Sequence, residues 1–123
     1  MIDNKRNIVR TKSFDFALRI VKLYKYLCDE HKEFVLSKQI LRSGTSIGAM
    51  QRESEHAEST PDFIHKLAVA QKECNETLYW LELLYKSEYI EDKAYESLYK
   101  DADELIRLLT SIIKTTKSNA SNS

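Results

Sequence analysis

QILRSGTSIGAMQRES, residues 39–54, holds both glycines of the chain, Gly44 and Gly48, four positions apart. Nothing else in this stretch breaks a helix. A glycine inside a helix costs about 1 kcal/mol relative to alanine, so two of them need a reason. The neighbours Ser43, Thr45, Ser46 and Ala49 are also small. At helical spacing Ile40, Gly44, Ile47 and Gly48 share one face. Small residues there let another backbone come close. The stretch therefore reads as a central helix with a packing seam of Ser43, Gly44, Ile47 and Gly48. Gln51, next on that face, interrupts the apolar stripe.

The rest of the chain must supply the partners of that seam. With two glycines and one proline in 123 residues, there is room for only a few turns. The length fits one domain with a core that needs no disulfide or metal. Ser59-Thr60-Pro61-Asp62 is the clearest punctuation. Ser59 or Thr60 caps a helix, proline takes its first turn, and Asp62 meets the positive end of its dipole. Phe63, Leu67, Ala70, Cys74, Leu78, Leu81 and Tyr85 then carry a helix from Pro61 to about Lys86.

A helix before the seam runs from about Ser13, as N-cap, to about His31. It has two stripes, Phe14, Ala17, Leu18, Val21, Tyr24 and Cys28 beside Ile20, Leu23 and Leu27, which suggests burial from two sides. The seam helix itself spans about Glu33 to Ala57, with Phe34, Val35 and Leu36 in its apolar set. The last helix spans about Asp92 to Thr115, with Leu98, Leu105, Leu109 and Ile112 on one face. The domain organisation is thus a basic arm over 1–12, a bundle over 13–117, and a flexible tail, 118–123. The fold class is all-α, an antiparallel up-down-up-down four-helix bundle. Its wide apolar faces, with seven tyrosines and one tryptophan, exceed what one bundle buries. Assembly into a homo-oligomeric ring is the natural outlet.

Charge constrains the partners. The net charge is zero, yet residues 1–12 carry +3 and residues 58–123 carry −4, with eight basic against twelve acidic side chains. A neutral chain has no dominant nucleic-acid surface, but a local patch multiplied by oligomerisation can bind RNA or DNA. Lys5, Arg6, Arg10 and Lys12 in the arm, with Lys38, Arg42 and Arg52 on the seam helix, are the candidate contacts. The bland reading is a solvated face balanced by Glu53, Glu55 and Glu58. Trp80 with Tyr79 and Tyr85 could stack bases, although their helical spacing suits a core or subunit interface better.

Catalysis finds little footing. Glu53-x-x-His56 and Asp62-x-x-His65 have the spacing of di-iron bundles, yet they flank a turn instead of lying mid-bundle. A metal-binding bundle is therefore the remote alternative, and the expectation is no metal and no cofactor. Ser43 and Ser46 have no histidine on their face. Cys28 and Cys74 fall on apolar faces and read as buried free thiols. Met1–Lys12 has no apolar core of a signal peptide, and no run approaches the ~20 apolar residues of a membrane span. The expected place is the reducing cytoplasm, with no membrane partner.

Gln39–Ser54, then Ala57, Ser59, Asp62–Leu67, Ala70, Lys72-Glu73 and ETLYWLELL at 76–84, resembles the bacterial four-helix bundle family, also called the ribosomal-RNA intervening-sequence protein family. The likeness covers about Phe14 to Ile113. It implies an antiparallel bundle and a ring-like homopentamer, with no catalytic residue to carry over. The chain is also similar to the accessory variability proteins of diversity-generating retroelements, which are pentameric and work with a reverse transcriptase and RNA through a basic surface. After SIGA the family usually has Asn followed by Ile or Val, whereas this chain has Met50-Gln51. The function expected is a non-enzymatic homo-oligomeric accessory or scaffold protein, with nucleic acid a candidate ligand through basic residues multiplied by oligomerisation. The alternative is a scaffold that binds another protein and no nucleic acid.

Overall fold

Val9, Ser13, Phe16, Ile20, Leu23 and Leu27 stand alternately four and three apart, and all six are buried. That spacing keeps one stripe on one side of a helix. In the computed structural model, which describes residues 2–121, the stripe belongs to α1, Ile2–His31. The other helices are α2 (Leu36–Ser54), α3 (Thr60–Lys86) and α4 (Asp92–Ser121). No strand occurs among the described residues. The chain is all-α.

Several boundaries differ from the sequence reading, each for a local reason. Residues 2–12, expected as an arm, are the first turns of α1. Val9 continues the buried stripe there, and Lys5 donates to the Ser111 hydroxyl of α4 at 2.7 Å. Ser13 is not an N-cap; it lies mid-helix, 1% exposed. Of the two α1 stripes, the core takes Ile20, Leu23 and Leu27, together with Phe16, which neither stripe included. Phe14 and Leu18 of the other stripe are about half exposed, at 52% and 51%. At the far end α4 continues to Ser121, two turns beyond the expected stop, so most of the expected tail is helical. Residues 122 and 123 lie outside the described part.

The start of α2 is set by a carboxylate. Lys32 has φ 52, a left-handed conformation that ends α1. Glu33 then turns its side chain onto the next helix, accepting from the N–H groups of Ser37 at 2.7 Å, Leu36 at 3.1 Å and Val35 at 3.3 Å. Those are donors that a helix N-terminus leaves unpaired. Phe34 and Val35, expected in the apolar set of α2, sit before the helix instead, 52% and 69% exposed. Burial pushes the Glu33 carboxyl up, but the N–H donors outweigh it and hold the group below its ordinary value.

α3 opens as the punctuation predicts. The Ser59 hydroxyl accepts from the Asp62 N–H at 3.1 Å, and the Asp62 carboxylate accepts from the Glu58 N–H at 3.1 Å. Ser59 is thus the N-cap, and Asp62 ties the residue before it onto the first turn. The α3–α4 turn closes with the Tyr89 N–H on the Leu84 carbonyl at 2.9 Å, helped by Glu88 at φ 68. Buried Ile90 plugs that end of the core.

Each helix packs on two others: α1 on α2 and α4, and α3 on α2 and α4. Apart from the Arg6 guanidinium of α1 over the Phe63 ring of α3, α1 does not pack on α3, nor α2 on α4. Along α1, Lys5, Lys12 and Arg19 reach Ser111, Glu104 and Asp101 of α4. Across α2 and α3, Lys66 pairs with Glu53, while Ser43 bonds Thr77. One core, including Phe16, Ile20, Ile47, Leu67, Leu81, Leu105 and Leu109, runs between the four helices.

The glycines divide the work of the seam. A Cβ on Gly44 would stand 2.8 and 2.9 Å from two side-chain carbons of Ile20. That is closer than carbon atoms can pack, so α1 and α2 approach here only because Gly44 has no side chain. At Gly48 the same atom would meet the Ser13 carbonyl and hydroxyl at 3.4 Å, which is ordinary contact. Ser43 and Ile47 are fully buried, and Ser43 meets α3. The Ser43 and Thr77 hydroxyls lie 2.9 Å apart, and Thr77 donates to the Glu73 carbonyl at 2.8 Å.

Candidate functional site

The seven basic residues proposed for nucleic-acid contact do not converge. Lys5 and Lys12 face α4, held by Ser111 and by Glu104 at 3.0 Å. Arg6 lies over the Phe63 ring, 4.2 Å from its centroid. Arg10 pairs with Glu55 at 3.3 Å. Arg42 bridges to α3, on Glu73 at 3.0 Å and on Glu76. Lys38 and Arg52 remain exposed on α2. The exposed pairs contribute little to stability, but a cation already facing a carboxylate is a poorer phosphate ligand. α1 turns one face to α4 and another to α2, and the sequence alone could not say which lysine takes which.

Nor do the aromatics make one stacking platform. Tyr79 is exposed and meets Trp80 edge to face, with centroids 5.0 Å apart. The Trp80 indole N–H donates to Glu76 at 3.0 Å, placing a negative charge beside it. Tyr85 turns to α4 instead, stacked on Tyr95 at 4.1 Å, with its hydroxyl donating to Asp92 at 2.7 Å. Tyr99 lies next along, 5.5 Å from Tyr95. Hydrogen bonding to the Asp92 carboxylate raises the Tyr85 phenol; burial, then the Glu82 charge, raises Tyr95. The sequence reading placed Tyr85 on the stripe of the third helix, and nothing in it set that residue beside Tyr95 and Tyr99 of the fourth.

Elements of catalysis are no closer together. Among the described residues, no three His, Cys, Asp or Glu side chains are grouped to hold a metal ion. Glu53, His56 and Asp62 share the rim of a shallow hollow at the α2–α3 turn with Arg52 and Lys66, where those cations would oppose a bound metal ion. Cys74 is fully buried, and burial with the nearby Asp103 charge pushes its thiol up to about 12. Such a thiol is no nucleophile at neutral pH. Cys28, expected to be buried, is only half-buried; its Sγ lies 3.8 Å from the Glu33 carbonyl and the Ser37 hydroxyl. No helix among the described residues is long and apolar enough to cross a membrane.

What remains is surface of a particular kind. Phe14 and Leu18 lie half exposed along α1, with the Arg52 guanidinium of α2 5.6 Å from the Phe14 ring centroid. Lengthwise this face follows the α1–α2 seam that Gly44 brings together. Residues 5–111 match the 23S rRNA-intervening sequence protein family. The chain belongs to that family. This intervening-sequence protein is also similar to a crystal structure from Bacteroides thetaiotaomicron, described as a protein of unknown function from the S23 ribosomal protein family. The two are 62% identical with a TM-score of 0.88, over 89% of this chain and 98% of that one. No curated protein matches. Met50-Gln51, where the resemblance leads one to expect Asn followed by Ile or Val, lies in α2. Gln51 is 3% exposed; its amide nitrogen donates to Glu55 at 3.0 Å, while its amide oxygen has no partner.

Proposed function

We propose that this intervening-sequence protein is a non-enzymatic scaffold that works as a homo-oligomer. Its helices form an up-down-up-down antiparallel bundle, and its copies close into a ring in the cytoplasm. Five is the copy number that the family resemblance implies. The observation that carries the reading is the apolar stripe of Phe14 and Leu18, about half exposed on a helix whose other stripe already fills the core. Exposed apolar side chains in a row along a helix mark an interaction surface.

Nucleic-acid binding is the second reading, favoured by Lys38 and Arg52, which lie exposed on one helix. Repetition around a ring would multiply them. Light scattering with and without a mixed pool of short RNAs, at low and moderate salt, tests both readings. An oligomer that ignores RNA fits the scaffold. An oligomer that gains RNA mass at low salt and sheds it as salt rises fits the nucleic-acid binder. A mass of 14.4 kDa, that of one chain, would sink the self-association on which both stand.

A further inference from the structure

The apolar stripe of α1 does not lie alone. Phe14, Leu18, Val21 and Lys25 follow one another four, three and four apart, so they share a flank of the helix. The Phe14–Arg52 contact fixes which flank: the one beside α2. On α2, Lys38, Leu41, Thr45, Ala49 and Arg52 recur at the same spacing. This α1/α2 face therefore has an apolar centre with cations around it. Lys25 and Lys38 are exposed, and none of the described residues pairs with either. Arg10, lower on the same face, is answered by Glu55.

The opposite side of the bundle has the reverse character. Because α1 packs along α2 and α4 but not along α3, and α2 does not pack along α4, the α3/α4 face points away from the α1/α2 face. The tyrosine ladder of Tyr85, Tyr95 and Tyr99 runs along it. Glu82 and Glu96 stand exposed beside that ladder, and Tyr85 brings in Asp92. This face is aromatic and negatively charged, and among the described residues no cation pairs with Glu82 or Glu96.

We propose that the α1/α2 face of one copy docks on the α3/α4 face of the next. Phe14 and Leu18 would lie against the tyrosine ladder, with Lys25, Lys38 and Arg52 opposite Glu82 and Glu96. The argument rests on the self-association proposed above and names its surfaces. Two different faces in contact make a heterologous interface, and such an interface closes into a ring when its rotation closes. An isologous pairing of the α1/α2 face with itself would set cation against cation, which is repulsive. A phosphate backbone would meet the cations but leave the apolar centre unfilled. A protein face that is both apolar and acidic meets both demands, and this chain carries one.

The test is a charge swap read by light scattering. One variant carries Lys38→Glu and Arg52→Glu, a second carries Glu82→Lys and Glu96→Lys, and a third carries all four. All four side chains are exposed, and circular dichroism checks that each variant keeps its helices. Each two-site variant is expected to fall to 14.4 kDa, and the four-site variant to regain the wild-type mass. Loss in the first variant with no recovery in the third would mean that the α1/α2 face meets some other surface, overturning the proposal. So would wild-type mass in both two-site variants, with self-association left standing. A first variant that stays assembled but loses RNA retention would assign the face to phosphate and also overturn it. A wild type of 14.4 kDa would bring down the underlying reading itself.

Discussion

Gly44 and Gly48 look alike in sequence and differ in what they face. A methyl group on Gly44 collides with the branched carbons of Ile20, at 2.8 and 2.9 Å. Overpacking of this sort costs about 1–3 kcal/mol, so Gly44→Ala should lower the urea midpoint by a matching amount. Gly48→Ala adds a methyl in ordinary contact with Ser13 and removes the helix cost of glycine. It should raise stability by up to about 1 kcal/mol. If Gly44→Ala proved neutral, the close approach of α1 and α2 would be wrong. Gln51 poses a second residue-scale question, since its buried amide oxygen has no partner. An unmet buried acceptor costs about 1–3 kcal/mol. Gln51→Met keeps the length and removes the acceptor, at the loss of one bond to Glu55. The net expected by chemical denaturation is a gain of about 1 kcal/mol. That both glycines sit on the seam was legible from their spacing. Which one tolerates a side chain was not, because it depends on whether Ile20 or Ser13 arrives opposite.

At the scale of the element, the entry to α2 depends on Glu33. Its carboxylate meets three N–H groups that would otherwise be unpaired. Removing a side-chain cap costs about 1 kcal/mol, so Glu33→Ala should destabilise the protein by that order at neutral pH. The folded carboxyl sits below its ordinary value of 4.5. Its contribution is therefore full above that value and is lost as the pH falls through the lower folded one. Denaturation of wild type and Glu33→Ala across acidic pH should show the gap between them closing in that window. A gap independent of pH would show that the charge is not involved. Sequence placed a helix start at Glu33 itself, because Phe34 and Val35 extend the apolar pattern. Glu33 competes with that pattern by taking the first N–H groups with its side chain. The α3 cap, by contrast, was readable, since Ser59, Pro61 and Asp62 act locally.

At the scale of the molecule, the two thiols report on cooperativity. Cys74 is fully buried with its thiol near 12, and Cys28 is half-buried. In native protein a thiol reagent should modify Cys28 alone, and Cys74 should react only at the rate of global unfolding. Fast labelling of both would mean that the α3–α4 core opens locally. The same core explains why the whole first helix is ordered. Residues 2–12 look like a solvated arm when counted by charge, yet Val9 extends the buried stripe and Lys5 reaches α4.

The sequence by itself determined that this chain is helical, that it has four helices, and where three short turns fall. Those features depend on interactions among residues a few positions apart: spacing, caps, and the scarcity of glycine and proline. It also carried the family likeness. Tertiary structure alone decided which of the two α1 stripes faces the core and which remains open along α2. It likewise decided that Lys5, Lys12 and Arg42 answer carboxylates or hydroxyls of other helices, and that Tyr85, Tyr95 and Tyr99 line up as one ladder. Each of these depends on the rotation of a helix about its own axis. That rotation is set by the best total packing of all four helices, including the close approach of Gly44 to Ile20, and no single helix encodes it.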